Sequence, residues 1–122
     1  MSDYLNIADF LSPVNLAAIS HDEGFKEGQL GRIVDVYQEE FPDLDEVQIV
    51  ILGCGEQRGS GLIHGQSDAP NIIRKHFYGL FYWHTDIKVA DVGNLKSGSL
   101  FTDSFAALKT VVAELMNDGK TV

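Results

Sequence analysis

The stretch from Val47 to His76, VQIVILGCGEQRGSGLIHGQSDAPNIIRKH, constrains the fold of this chain more than any other part of it. It opens on an apolar run, passes through a long glycine-rich loop and enters a helix that starts at a proline. In extended backbone Val47, Ile49 and Ile51 point to one side and Val50 and Leu52 to the other. Both sets are apolar, the pattern of a strand covered on both faces, as in a parallel sheet between helices. Gly53 ends the run, and the glycines from Gly53 to Gly65 mark backbone that turns tightly or comes close to something.

Pro70 suits the first turn of a helix, with Ser67 or Asp68 as its cap. Ile72, Ile73, His76, Phe77, Leu80 and Phe81 then form one apolar stripe, which is expected to lie on the sheet. Tyr82 to Thr85 reads as a turn, and Asp86 to Val92 (DIKVADV) as a second strand stopped by Gly93-Asn94. Strand, helix and strand in this order imply a parallel crossover. Thr102 or Asp103 can cap a second helix on which Phe105, Leu108, Val111, Val112 and Leu115 share a face. Asn117-Asp118-Gly119 ends it, with Gly119 suited to the left-handed position after a helix. Lys120 to Val122 stand where a third strand would begin.

Residues 1–46 read as an N-terminal helical or lid segment, and 47–122 as the α/β unit. Ile7, Phe10 and Leu11 suggest a first helix ending near Leu11, before Ser12-Pro13, and Leu16 to Ile19 a further turn. From Leu30 to Phe41, Ile33, Val34, Tyr37 and Phe41 keep a helical period; the alternative is a strand through Arg32 to Tyr37, which holds three β-formers.

The chain has 122 residues, enough for one compact domain. Its 18 acidic and 9 basic residues leave a formal net charge of -9, which argues against nucleic-acid and anionic-membrane partners. No apolar segment approaches the roughly 20 residues needed to span a bilayer. The opening MSDYLNIADF lacks the features of a secretory signal, and the single cysteine, Cys54, cannot form an internal disulfide. A cytoplasmic protein is expected.

Several chemistries can be weighed on these residues. Gly53-x-Gly55-x-x-Arg58-Gly59 departs from the dinucleotide fingerprint, and the helix begins only at Pro70, so a phosphate would have no helix N-terminus beside the loop. The one Gly-Lys-Thr, Gly119-Lys120-Thr121, lacks the glycine five residues before it that a P-loop needs, Glu114 standing there, and no His or Cys spacing has the form of a metal site. Cys54 at a strand end reads as a small buried residue, since a nucleophile also needs a placed base, which His64 could supply only if the loop folded back. His21, His76 and His84 read as surface or structural residues. Arg58 either meets an anionic ligand or shapes the loop through Glu56 or Asp68. Arg74 is expected to pair with a carboxylate, Asp91 being one candidate.

The series Gly53, loop with Arg58-Gly59, Gly65-Gln66-Ser67-Asp68-Ala69-Pro70-Asn71-Ile72-Ile73-Arg74, then Asp91-Val92-Gly93-Asn94 resembles the N-terminal part of the ureohydrolase superfamily: arginase, agmatinase and formimidoylglutamase. Ala69-Pro70 stands where that family often has Gly-Pro, and Asn94 where Asp is frequent. The likeness covers Val47 to the C-terminus.

The resemblance implies a three-layer α/β/α, arginase-like fold with a parallel sheet, of which this chain would hold the first β-α-β-α portion plus N-terminal helices. It implies a hydrolase of guanidino or formimino C–N bonds that uses a Mn²⁺ pair to activate a bridging water. The family's metal ligands come from G-G-x-H, D-A-H-x-D and a later D-x-D segment; the first two do not occur in these residues, and the one D-x-D, Asp43-Leu44-Asp45, precedes the first strand. No metal, cofactor or catalytic residue is therefore expected here, and the chain alone should be inert. Gly53, Pro70, Arg74, Asp91 and Gly93 would be motif residues of the framework, and Arg58, Gly59, His64 and Asn94 residues of a ligand-facing loop at the mouth. The small guanidino or formimino substrate would belong to the longer parent. A homo-oligomer is expected, because the first strand would show an open edge unless an N-terminal segment covers it. The alternative function is a non-catalytic α/β ligand-binding or regulatory module using the glycine-rich loop 53–68.

Overall fold

In a computed structural model the chain is described over residues 5–20, 24–57, 67–82, 84, 86–98 and 100–122. It is a mixed α/β structure with an open sheet. In chain order the elements are α1 (Leu5–Ala8), β1 (Leu11–Ser12), α2 (Leu16–Ile19), α3 (Leu30–Ile33), β2 (Asp35–Val36), β3 (Ile49–Gly53), α4 (Ala69–Phe77), β4 (Val89–Leu95) and α5 (Phe101–Asn117).

Strand β4 is central. β3 pairs with it in parallel, Ile49 opposite Val89 and Ile51 opposite Asp91. β2 also runs parallel, Asp35 opposite Ala90, while β1 is antiparallel, Leu11 opposite Leu95. The sheet is thus mixed, not all-parallel as expected. Strand β4 also runs through Gly93-Asn94 instead of stopping there, because β1 adds pairing at its end. From Ile51 to Gly53 β3 advances two residues while β4 advances three, from Asp91 to Asn94, so the ladder is irregular at this point. Gly93 absorbs the offset at φ +88°, and a Cβ there would stand 2.0 Å from the Ser12 carbonyl oxygen.

Alternation along β4 separates two cores. Ala90 and Val92 face α5, meeting Val50, Leu44, Val111 and Leu115. Val89 faces the other way, into a cluster with Tyr78 at the C-cap of α4, Ile19, Phe25, Leu30 and Val34. Helices therefore lie on both faces of the sheet. Helix α5 follows its sequence pattern in part: Val111 and Leu115 are fully buried and Leu108 packs beside them, while Phe105 of the expected face is 59% exposed. Asp103 accepts from the Leu100 N–H (3.2 Å), so it caps from inside the first turn, not from the flanking position. The helix closes as expected: Gly119 is left-handed (φ +82°), its N–H bonds Met116 O (3.0 Å), and Lys120 N–H bonds Leu115 O (3.1 Å).

Three local expectations are corrected. Residues 30–41 form one helical turn and then β2, because Tyr37 N–H reaches Asp91 O (2.8 Å) and the edge of β4 outcompetes a longer helix. The first helix stops at Ala8, and Leu11-Ser12 joins β4 instead, with Phe10 O accepting from Lys96 N–H (2.8 Å). On α4, Ile72, Ile73, Phe77, Leu80 and Phe81 of the anticipated stripe are exposed, and the helix packs through Arg74 and Tyr78. Arg74 is held there by an ion pair with Asp91 under the helix, which overrides the apolar periodicity.

The edge of β3 away from β4 is partly occupied. Thr121 lies parallel to it, accepting from Val50 N–H (2.8 Å) and donating to Gln48 O (2.9 Å). Lys120 fastens this segment through Nζ to Leu44 O (2.5 Å).

Candidate functional site

The motif residues converge at the carboxyl ends of β3 and β4, under the first two turns of α4. That end of an open α/β sheet is where ligand sites form, because loops diverge there. Pro70 occupies the first turn of α4, its missing N–H costing no helical bond. Ser67 Oγ accepts from Ala69 N–H (3.0 Å), while Asp68 holds the N-cap position without a side-chain bond to the helix backbone, its Oδ1 accepting instead from Asn71 Nδ2 (3.0 Å).

One turn on, Arg74 projects inward and makes four hydrogen bonds. Its Nε and Nη2 grip Asp91 in a fork (2.7 and 3.0 Å), Nη2 also donates to Gly93 O (3.0 Å), and Nη1 donates to Asn94 Oδ1 (2.6 Å). Planar guanidinium against planar carboxylate favours this bidentate arrangement, and lysine could not reproduce it. Asp91 also accepts from Gly93 N–H (3.0 Å) and from the Tyr78 hydroxyl. Its side chain is wholly buried and that of Arg74 is 3% exposed. Burial holds the Tyr78 hydroxyl well above the ordinary tyrosine range, and the adjacent Asp91 carboxylate adds to this. Tyr78 is thus a neutral donor to a charged pair.

Gly53 completes the joint by absence. A Cβ there would lie 2.0 Å from Asn94 Oδ1 and 2.8 Å from Arg74 Nη2, so only glycine lets β3 pass this close. Gly53, Pro70, Arg74, Asp91, Gly93 and Asn94 are thereby gathered into one assembly, and Asn94's side-chain oxygen is engaged by Arg74. The anticipated loop residues Arg58, Gly59 and His64, like His21, lie outside the described residues. His76 and His84 are exposed. Sequence reasoning missed Tyr78, although its spacing from Arg74 was the signal: residues i and i+4 share a helix face.

Two openings flank the joint. A polar cleft of about 110 Å³ is lined by Gly55, Ser67, Asp68, Pro70, Asn71 and Asn94, and the buried Asn71 Oδ1 has no hydrogen-bond partner. A groove of about 310 Å³ runs between Ile51, Leu52 and Cys54 on one side and Pro70 and Ile73 on the other. Cys54 is exposed there, contrary to the buried residue expected, because the chain leaves the sheet at Gly53.

A larger cleft, about 630 Å³, opens at the amino ends of the parallel strands among Asp35, Asp43, Asp45, Glu46 and Lys88. It is far along the strands from the motif residues. Its Glu46–Lys88 ion pair (2.8 Å) stands in solvent, with 79% and 60% of the side chains exposed. Lys88 holds the Glu46 carboxyl below its ordinary range through a hydrogen bond and its charge. Solvated pairs of this kind contribute little to binding or stability.

Among the described residues, no group of three or more His, Cys, Asp or Glu side chains is placed to hold a metal ion. No helix among them is long and apolar enough to cross a membrane. Comparison with protein-family models, curated proteins and solved structures finds no match to this chain.

Proposed function

We propose that this chain is the N-terminal part of an amidinohydrolase of the ureohydrolase type, a cytoplasmic enzyme splitting guanidino or formimino C–N bonds with a Mn²⁺ pair. Metal ligands and catalytic groups would come from segments other than these 122 residues, which form the framework of the active-site mouth and are inert alone. The observation that carries this reading is the Arg74–Asp91 joint. It unites Gly53, Arg74, Asp91, Gly93 and Asn94, the same positions on which the family resemblance rests. Thr121 running beside β3 also agrees with a sheet that continues on that edge.

The decisive experiment compares two polypeptides supplied with Mn²⁺. The 122-residue chain should release neither urea nor ammonia from arginine, agmatine or formimidoylglutamate. A longer product of the same gene carrying G-G-x-H and D-A-H-x-D segments should hydrolyse one of them. A gene product without those segments, or with them and inactive on all three substrates, removes the enzyme reading.

A further inference from the structure

We draw no further inference here: the strongest candidate, the polar cleft between the amino end of α4 and the carboxyl ends of β3 and β4, rests on a helix N-terminus, and the unpartnered Asn71 Oδ1 beside it belongs to a half-buried residue and is itself closed to solvent, so no second observation points to a ligand there.

Discussion

Helix α5 buries Val111 and Leu115 from its apolar stripe and leaves Lys109 and Glu114 in water; α4 leaves Ile72, Ile73 and Phe77 in water and buries Arg74 and Tyr78. The two helices follow the two parallel strands in turn and lie on opposite faces of one sheet, so connectivity does not explain the difference. What lies beneath them does. Under α5 the sheet presents Val50, Ala90 and Val92, and burial of apolar area determines the orientation. Under α4 it presents Asp91, a carboxylate wholly out of water, which must be met by a charge and by donors. An apolar stripe placed there would have left that carboxylate unpaired, at a cost exceeding what the stripe could contribute. Helix orientation is set by the most expensive group to leave unsatisfied, and amphipathicity decides only when no such group is present.

This contrast can be broken at its strongest point first. Asp91→Ala strands the Arg74 guanidinium under α4 and should lower stability by about 3–5 kcal/mol in urea denaturation. A loss below about 1 kcal/mol would mean that α4 is held by other contacts. On the opposite face Leu115→Ala should cost about 2–5 kcal/mol through lost burial and the cavity left behind, with no dependence on salt. Gly53→Ala comes next, at about 1–3 kcal/mol, because its methyl group must displace Asn94 or the guanidinium.

Tyr78→Phe should cost about 1 kcal/mol near neutral pH, by loss of one donor to Asp91. Its sharper signature is in alkali. The folded-state pKa of Tyr78 is raised above the ordinary value of 10.0, so below that pH both states keep the proton and its contribution is complete. Above it the unfolded chain ionises while the folded protein resists, and stability should fall by up to about 1.4 kcal/mol per pH unit. Comparing alkaline denaturation of the parent with that of Tyr78→Phe isolates this slope; identical curves would mean that the hydroxyl is not kept protonated by its burial and by Asp91. The smallest effect is expected at Ile72→Ser, within about 0.5 kcal/mol for the monomer, since that side chain contributes little to the core. A loss of several times that would show the outer face of α4 to be packed within the folded chain.

Much of this arrangement can be read from residues alone, and the failures share a cause. Glycine and proline punctuation located β3, α4, β4 and α5 to within a few residues, and the Arg74–Asp91 pairing was one of the expectations. The short strands β1 and β2 are not located by periodicity, which two residues cannot carry: Leu11 reads as the end of a helix and Arg32 to Tyr37 as helix or strand, and both strands exist only because β4 offers hydrogen-bonding positions to Leu11-Ser12 and Asp35-Val36. Tyr78 was overlooked because the helix was judged by its apolar side chains, while its partner lies in a strand 13 residues further on.

What the sequence determined by itself is the order of the two longer strands and their helices, the end of β3 at Gly53, and the stop at Gly119. These depend on backbone conformation and local burial, which neighbouring residues dictate. The tertiary structure alone decided which face of α4 turns inward, where the N-terminal strands pair, and that Cys54 stands in solvent. Each of those outcomes depends on a partner distant in sequence: an unpaired buried charge, an open strand edge, or the point at which the chain leaves the sheet.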